Sequence, residues 1–93
     1  MHMSKPVLID FYAEWCGPCK MQSPLIDRLK EKMGDAIEVR KMDVDQHMKE
    51  AGEYQISVVP TLIIEMDGKV VKRLEGVTSA EDLEQMLRPL VTD

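Results

Sequence analysis

Cys16 and Cys19 are the only cysteines among 93 residues, and two residues separate them. A thiolate is a nucleophile, and a second thiol at short range lets it open or close a disulfide. Other uses of cysteine fit the pair poorly. A secreted fold stapled by disulfides needs more cysteines at wider spacing. A structural zinc site takes about four ligands, and two cysteines with the scattered His2 and His47 form no recognisable set. What remains is a redox pair or a coincidence of two small buried apolar side chains. The second alternative gives no reason for Trp15 before the pair and Gly17-Pro18 inside it. No metal, and no cofactor beyond the dithiol itself, is expected.

The pair stands where a strand gives way to a helix. Val7-Leu8-Ile9-Asp10-Phe11-Tyr12 is β-prone and lacks a polar face, so it reads as a strand covered on both sides. Pro18 suits a first helical turn, where its missing N–H has no intrahelical partner. Met21, Leu25, Leu29 and Met33 then recur every four residues, with Ile26 widening the stripe. Pro24 is expected to kink this helix and Gly34 to stop it. Cys16 therefore meets the free N–H groups and the roughly half positive charge of a helix N-terminus, which favour a thiolate. A thiol with pKa near 8.5 is only about 3% ionised at pH 7, and one unit of lowering raises that to roughly a quarter. Cys19, one turn on, is expected to be the more buried sulfur. Cys16 then attacks a substrate disulfide and Cys19 resolves the mixed disulfide, with Gly17 and Pro18 tuning the strain of the internal bond.

Asp10 is an anomaly inside its apolar strand, six residues before Cys16. Burial without a full partner raises a carboxyl pKa. Such a group takes the proton from Cys19 as that thiol becomes the resolving nucleophile. Lys41, on a neighbouring strand, is expected to tune it. The plainer alternative is a structural Asp10–Lys41 pair, although buried pairs add little net stability.

Residues 37–44 alternate as a second strand, and residues 46–54 read as a short helix weakened by Gly52. Thr61–Met66 and residues 69–74 are strands joined by the hairpin signal Asp67-Gly68. Ser79 caps a last helix with Asp82 three residues on, and Ala80, Leu83, Leu87 and Leu90 form its buried face beside Met86. The order β-α-β-α-β-β-α implies an α/β fold: a mixed four-stranded sheet with helices on both faces, a parallel right-handed βαβ unit first and an antiparallel hairpin last. Residues 1–93 are expected to form one domain. Residues 1–4 read as a disordered or cloning-derived start, and His2 is given no function.

Net charge is −5, from 12 basic and 17 acidic side chains, with nine acids against five bases after position 45. This disfavours phosphate backbones, so no nucleic-acid partner is expected. No apolar run approaches the roughly 18–20 residues that span a bilayer. The start Met1-His2-Met3-Ser4-Lys5-Pro6 lacks the apolar core of a signal peptide. A cytoplasmic setting without membrane attachment is the expectation.

The run Asp10-Phe11-Tyr12-Ala13-Glu14-Trp15-Cys16-Gly17-Pro18-Cys19-Lys20-Met21 closely resembles the active-site block of the thioredoxin family. Pro24, Lys41, Val59-Pro60-Thr61 and Gly76 match further family positions, so the likeness covers nearly the whole chain. It implies a thioredoxin-like fold and a thiol–disulfide oxidoreductase with a Cys-Gly-Pro-Cys redox-active centre, serving electron transport and cell redox homeostasis. It implies reduction of protein disulfides, thioredoxin reductase as electron donor and a monomer. It also implies a cis peptide before Pro60, with the Val59 backbone beside Cys16 and free to pair with an extended substrate. Trp15, Gly17, Pro18, Val59, Pro60, Gly76 and Val77 would form the apolar docking surface. Without the resemblance Pro60 would be a plain turn proline and Trp15 a core residue.

Three departures from the family stand out. The chain starts at the strand before the active site, so the family's usual first strand and helix are missing from it and a sheet edge is left exposed. Tyr12 replaces a common tryptophan, and Val58 a commonly smaller residue. Two other readings compete. One is a glutaredoxin-like reductase driven by glutathione, against which Gly17-Pro18, Trp15 and Asp10 speak. The other is an interaction module with idle cysteines. An oxidase or isomerase would suit an exported chain better.

Overall fold

An apolar strand without a polar face needs cover on both sides, and β1 (Val7–Tyr12) has it. The computed structural model describes residues 4–91. In it β1 is followed by α1 (Gly17–Met33), β2 (Glu38–Asp43), α2 (Met48–Glu53), β3 (Thr61–Met66), β4 (Lys69–Glu75) and α3 (Ala80–Leu87). Short 3-10 turns, Gly34–Ala36 and Arg88–Leu90, follow α1 and α3. The sheet order is β2-β1-β3-β4. β1 runs parallel to β2 and antiparallel to β3, and β3 and β4 form an antiparallel hairpin. Within the hairpin the register shifts between Ile64 and Glu65. β2 and β4 are therefore the edge strands among the described residues.

Alternation along the strands divides the core between the two faces. Leu8, Leu62 and Ile64 pack with Ile26, Leu29 and Met33 of α1 and Leu83 and Leu87 of α3. Ile9, Phe11 and Ile63 point the other way, toward Ala51 of α2 and the adjoining Tyr54 and Ile56. Each such buried side chain contributes roughly 1.5–3 kcal/mol, so the strand that leads into the cysteines is firmly held. Asp10 shares the phase of Leu8 and so faces α1, and its register partner in β2 is Lys41.

Local chemistry sets the turns. Asp67 and Gly68 have φ of 55° and 78°, the left-handed pair that a two-residue hairpin needs. The Ser79 hydroxyl accepts the Asp82 N–H at 3.1 Å and caps α3. Gly34, with φ of 55°, ends α1. The Ser4 hydroxyl donates to Asp67 Oδ1 at 2.6 Å, so this residue of the expected loose start is tied to the hairpin turn. His2 and the rest of that start lie outside the described residues.

Two expectations need correction. The buried stripe of α1 is Cys19, Gln22, Ile26, Leu29 and Met33, whereas Met21 is 64% exposed and Leu25 only half-buried. A strict four-residue repeat drifts about 40° per step around a 3.6-residue helix, so a stripe begun at Met21 leaves the core face. The true stripe alternates steps of three and four. The second helix is shorter than residues 46–54 because the Gln46 and His47 N–H groups bond the Asp43 carbonyl, at 3.0 and 2.8 Å, and form a turn.

Candidate active site

Cys16 is the residue that caps α1. Its backbone is extended (φ −93°, ψ 113°), Gly17 and Pro18 fill the first two helical positions, and its Sγ accepts the Cys19 N–H at 3.2 Å. That bond gives the sulfur a fixed dipole in addition to the helix end, and no acidic side chain in the first turn competes for it. Cys16 and Cys19 form a disulfide with Cα atoms 5.3 Å apart. The Val59–Pro60 peptide is cis. The Val59 carbonyl oxygen lies 3.6 Å from Cys16 Sγ, a contact that becomes a weak S–H···O bond only when the thiol carries its proton.

The two cysteines are buried alike as whole residues, Cys16 4% exposed and Cys19 5%, so residue burial does not set Cys19 apart. Ala13 packs with both, and Tyr12, Val44 and Val59 close around them. The difference between the cysteines lies in their neighbours, because Cys16 meets Val59 and Cys19 meets a cavity.

That cavity, of about 290 Å³, is lined by Asp10, Tyr12, Cys19, Ser23 and Lys41 among others. Asp10 is 2% exposed, and its Oδ1 has no hydrogen-bond partner. Burial pushes its pKa up to about 6, against the opposing pull of the Lys41 ammonium. Lys41 does not close an ion pair with it. Its Nζ instead bonds Ser23 Oγ at 3.2 Å and meets Asp27 Oδ1 at 3.4 Å, both on α1. The strand register thus sets Lys41 beside Asp10, while the helix holds the ammonium.

On the other flank Trp15 is 71% exposed, a surface residue rather than a core one. Gly17, Pro18 and Val77 are also exposed, and Val59 and Gly76 are half-buried. Pro60 itself is buried, so its part is to carry Val59 rather than to present a surface. Its carbonyl accepts the Gly76 N–H at 2.9 Å, which joins the two loops.

Two residues here were not anticipated. Asp45 Oδ2 accepts the Trp15 indole N–H at 3.0 Å and fixes the exposed ring. Gln22 is wholly buried and pairs at both ends with the Thr78 backbone: its Nε2 donates to the carbonyl at 2.9 Å and its Oε1 accepts the N–H at 2.8 Å. Gln22 had a signal, since a polar residue on a core stripe must find partners. Asp45 had none beyond its loop position. Among the described residues no group of His, Cys, Asp and Glu is placed to hold a metal.

Comparison with known proteins agrees with this geometry. The thioredoxin family model matches residues 1–89. A thioredoxin-like protein of Synechocystis is 44% identical over 87 residues, covering 94% of this chain and 83% of that protein. Thioredoxin of Bacillus subtilis is 42% identical over 81 residues, 87% of this chain and 78% of its own length. Chloroplastic thioredoxin Y of rice is 46% identical over 83 residues, 89% of this chain, which spans only 49% of that longer protein. Among solved structures, thioredoxin-2 of the malaria parasite superposes with a TM-score of 0.89 at 27% identity, covering 92% of this chain and 84% of that one. A mutant thioredoxin from Halobacterium salinarum gives 0.86 at 35% identity, covering 96% and 77%. A capping cysteine bonded to its neighbour one turn on, a buried acid behind them and these relatives together place the chain in the thioredoxin family of thiol–disulfide oxidoreductases.

Proposed function

We propose that this chain is a general protein-disulfide reductase of the cytoplasm, re-reduced by a thioredoxin reductase and active as a monomer. The observation that carries the reading is the asymmetry of the two sulfurs. One caps a helix beside an open carbonyl, and the other borders a cavity that holds a buried acid.

In the dithiol form Cys16 is the thiolate, held by the Cys19 N–H and the helix end. It attacks one sulfur of a substrate disulfide, forming a Cys16–substrate bond and releasing the other substrate sulfur as a thiolate. An extended substrate segment pairs with the Val59 backbone and rests on Trp15 and Val77. Asp10, ionised above about pH 6, takes the Cys19 proton through the shared cavity. Cys19 then attacks Cys16 Sγ, the substrate leaves with both sulfurs reduced, and the enzyme keeps the disulfide. Two electrons pass to the substrate in each cycle; its thiolates take protons from water, Asp10 returns the Cys19 proton to water, and the reductase restores the two electrons.

The test is insulin reduction by catalytic amounts of the chain, driven by NADPH with a thioredoxin reductase or by glutathione. Turnover with the reductase and little with glutathione supports the proposal. The reverse pattern would make it glutaredoxin-like. No rate above the uncatalysed background with either donor would leave an interaction module. A strongly oxidising reduction potential would overturn the direction of electron flow.

A further inference from the structure

The loop between β4 and α3 runs beside the loop that carries Val59 and Pro60, and it is pinned on both sides of Val77. Before it, the Gly76 N–H bonds the Pro60 carbonyl at 2.9 Å. After it, Thr78 is held through both of its backbone polar groups by Gln22. Gln22 lies on α1 one turn beyond Cys19, so the helix that carries the reacting sulfurs also fixes this loop. A buried amide with both ends engaged has a single orientation. An apolar residue would fill the same space without holding the loop.

We propose that Gln22 is a positioning residue for protein substrates: it locks the Gly76–Thr78 segment at the height where Val77 and the Val59 backbone receive an extended chain. This rests on the reading of those residues as the dock. Both ends of the Gln22 amide bond Thr78 and not a sulfur, so it leaves the chemistry of Cys16 alone. The ordering of the loop is supplied before the substrate arrives, and without the clamp it is charged against binding. The proposal therefore separates large substrates from small ones.

The experiment compares wild type with Gln22→Met, similar in length but unable to pair with Thr78. Each is pre-reduced and mixed with excess insulin, or with cystamine, a disulfide too small to reach the loop. Single-turnover oxidation gives a half-saturation concentration and a limiting rate. For insulin the half-saturation concentration is expected to rise about tenfold, the equivalent of ~1.4 kcal/mol, which is within the cost of ordering one residue's backbone. The limiting rate and the cystamine rate are expected to stay within about twofold, since no group at the sulfurs changes. An unchanged half-saturation concentration, or equal slowing with insulin and cystamine, would overturn the clamp. A wild type that oxidises with cystamine but not with insulin would instead sink the reductase reading, so the two failures are distinct. One further measurement needs no variant. Hydrogen exchange at the Thr78 amide in wild type should be slowed at least about a hundredfold relative to an open loop, and exchange at the open-loop rate would also end the proposal.

Discussion

Two polar side chains are buried close to Cys19, and the fold treats them in opposite ways. Gln22 has both ends of its amide paired, to the carbonyl and the N–H of Thr78. Asp10, equally shut away, is left with an oxygen that has no partner and a pKa pushed up to about 6. A buried polar group that is fully paired is rigid and chemically quiet. One that is not paired costs stability, and its proton is near balance at working pH. The first suits the holding of a loop and the second the movement of a proton. On the proposed reading the active site has a positioning flank, with Trp15, Val59, Val77 and Gln22, and a proton flank, with Asp10 and Lys41, joined by the disulfide.

The two flanks can be separated most sharply at Cys19. Cys19→Ser removes resolution but leaves the capping thiolate of Cys16 and the whole docking flank in place. Turnover of insulin should fall at least about 10³-fold, since the group that completes the cycle is gone. The mixed disulfide should accumulate at one equivalent, visible by mass spectrometry. Loss of that adduct along with turnover would mean that Cys16 is not an independent nucleophile, and the division would fail.

Asp10→Asn acts on the proton flank alone. Resolution of a preformed mixed disulfide should slow by about 10²-fold at pH 7.5, the lower end of general-base contributions. First attack by Cys16 should change far less. In wild type the resolution rate should climb with pH through about 6, as Asp10 ionises, and the variant should lack that step. Stability supplies an independent check with a definite sign. Asp10 has its ordinary pKa of 3.8 when unfolded and about 6 when folded, so the native state binds the proton more tightly. The carboxylate therefore costs nothing below pH 3.8, and its full penalty is reached above pH 6. At ~1.36 kcal/mol per unit the ceiling is about 3 kcal/mol. Asp10→Asn should raise unfolding stability by about 2 kcal/mol at pH 7.5, and the gain should vanish near pH 4. A variant no more stable than wild type at pH 7.5 would show that Asp10 finds a partner in solution.

Most of the proton flank could be read from the residues in order. Val7–Tyr12 needed cover on both faces, so Asp10 had to be buried, and the strand alternation put Lys41 on a phase that the register then set beside it. The Asp67-Gly68 turn and the Ser79 cap were legible for the same reason: their chemistry lies within a few residues. The positioning flank was less so. Trp15 and Asp45 stand 30 residues apart, and Gln22 and Thr78 stand 56 apart. Pairings at that range follow from the packing of α1 against the sheet and α3, which no local pattern encodes. Even the resemblance that gave Pro60 its cis bond and its place beside Cys16 was silent on Gln22. The error over Met21 hid it, because the stripe drawn through Met21 passes Gln22 by.

The smallest expected effect concerns Lys41, whose ammonium bonds Ser23 and Asp27 while its charge still lowers the pKa of Asp10. The ammonium is partly exposed, so water and salt weaken its reach. Lys41→Met should move the inflection of the resolution step upward from about 6, because the one attraction that favours the Asp10 carboxylate is removed. Turnover at pH 7.5 should change by less than about twofold, since Asp10 is mostly ionised there in both proteins. Asp27→Asn should move the inflection the other way, because it deletes a negative charge and removes one of the two anchors of the ammonium on α1, leaving Ser23. Opposite displacements from one strand residue and one helix residue would place the control of Asp10 in the balance between β2 and α1. If neither variant moved the inflection, Lys41 would be a surface tether for α1, and the proton flank would contain Asp10 alone.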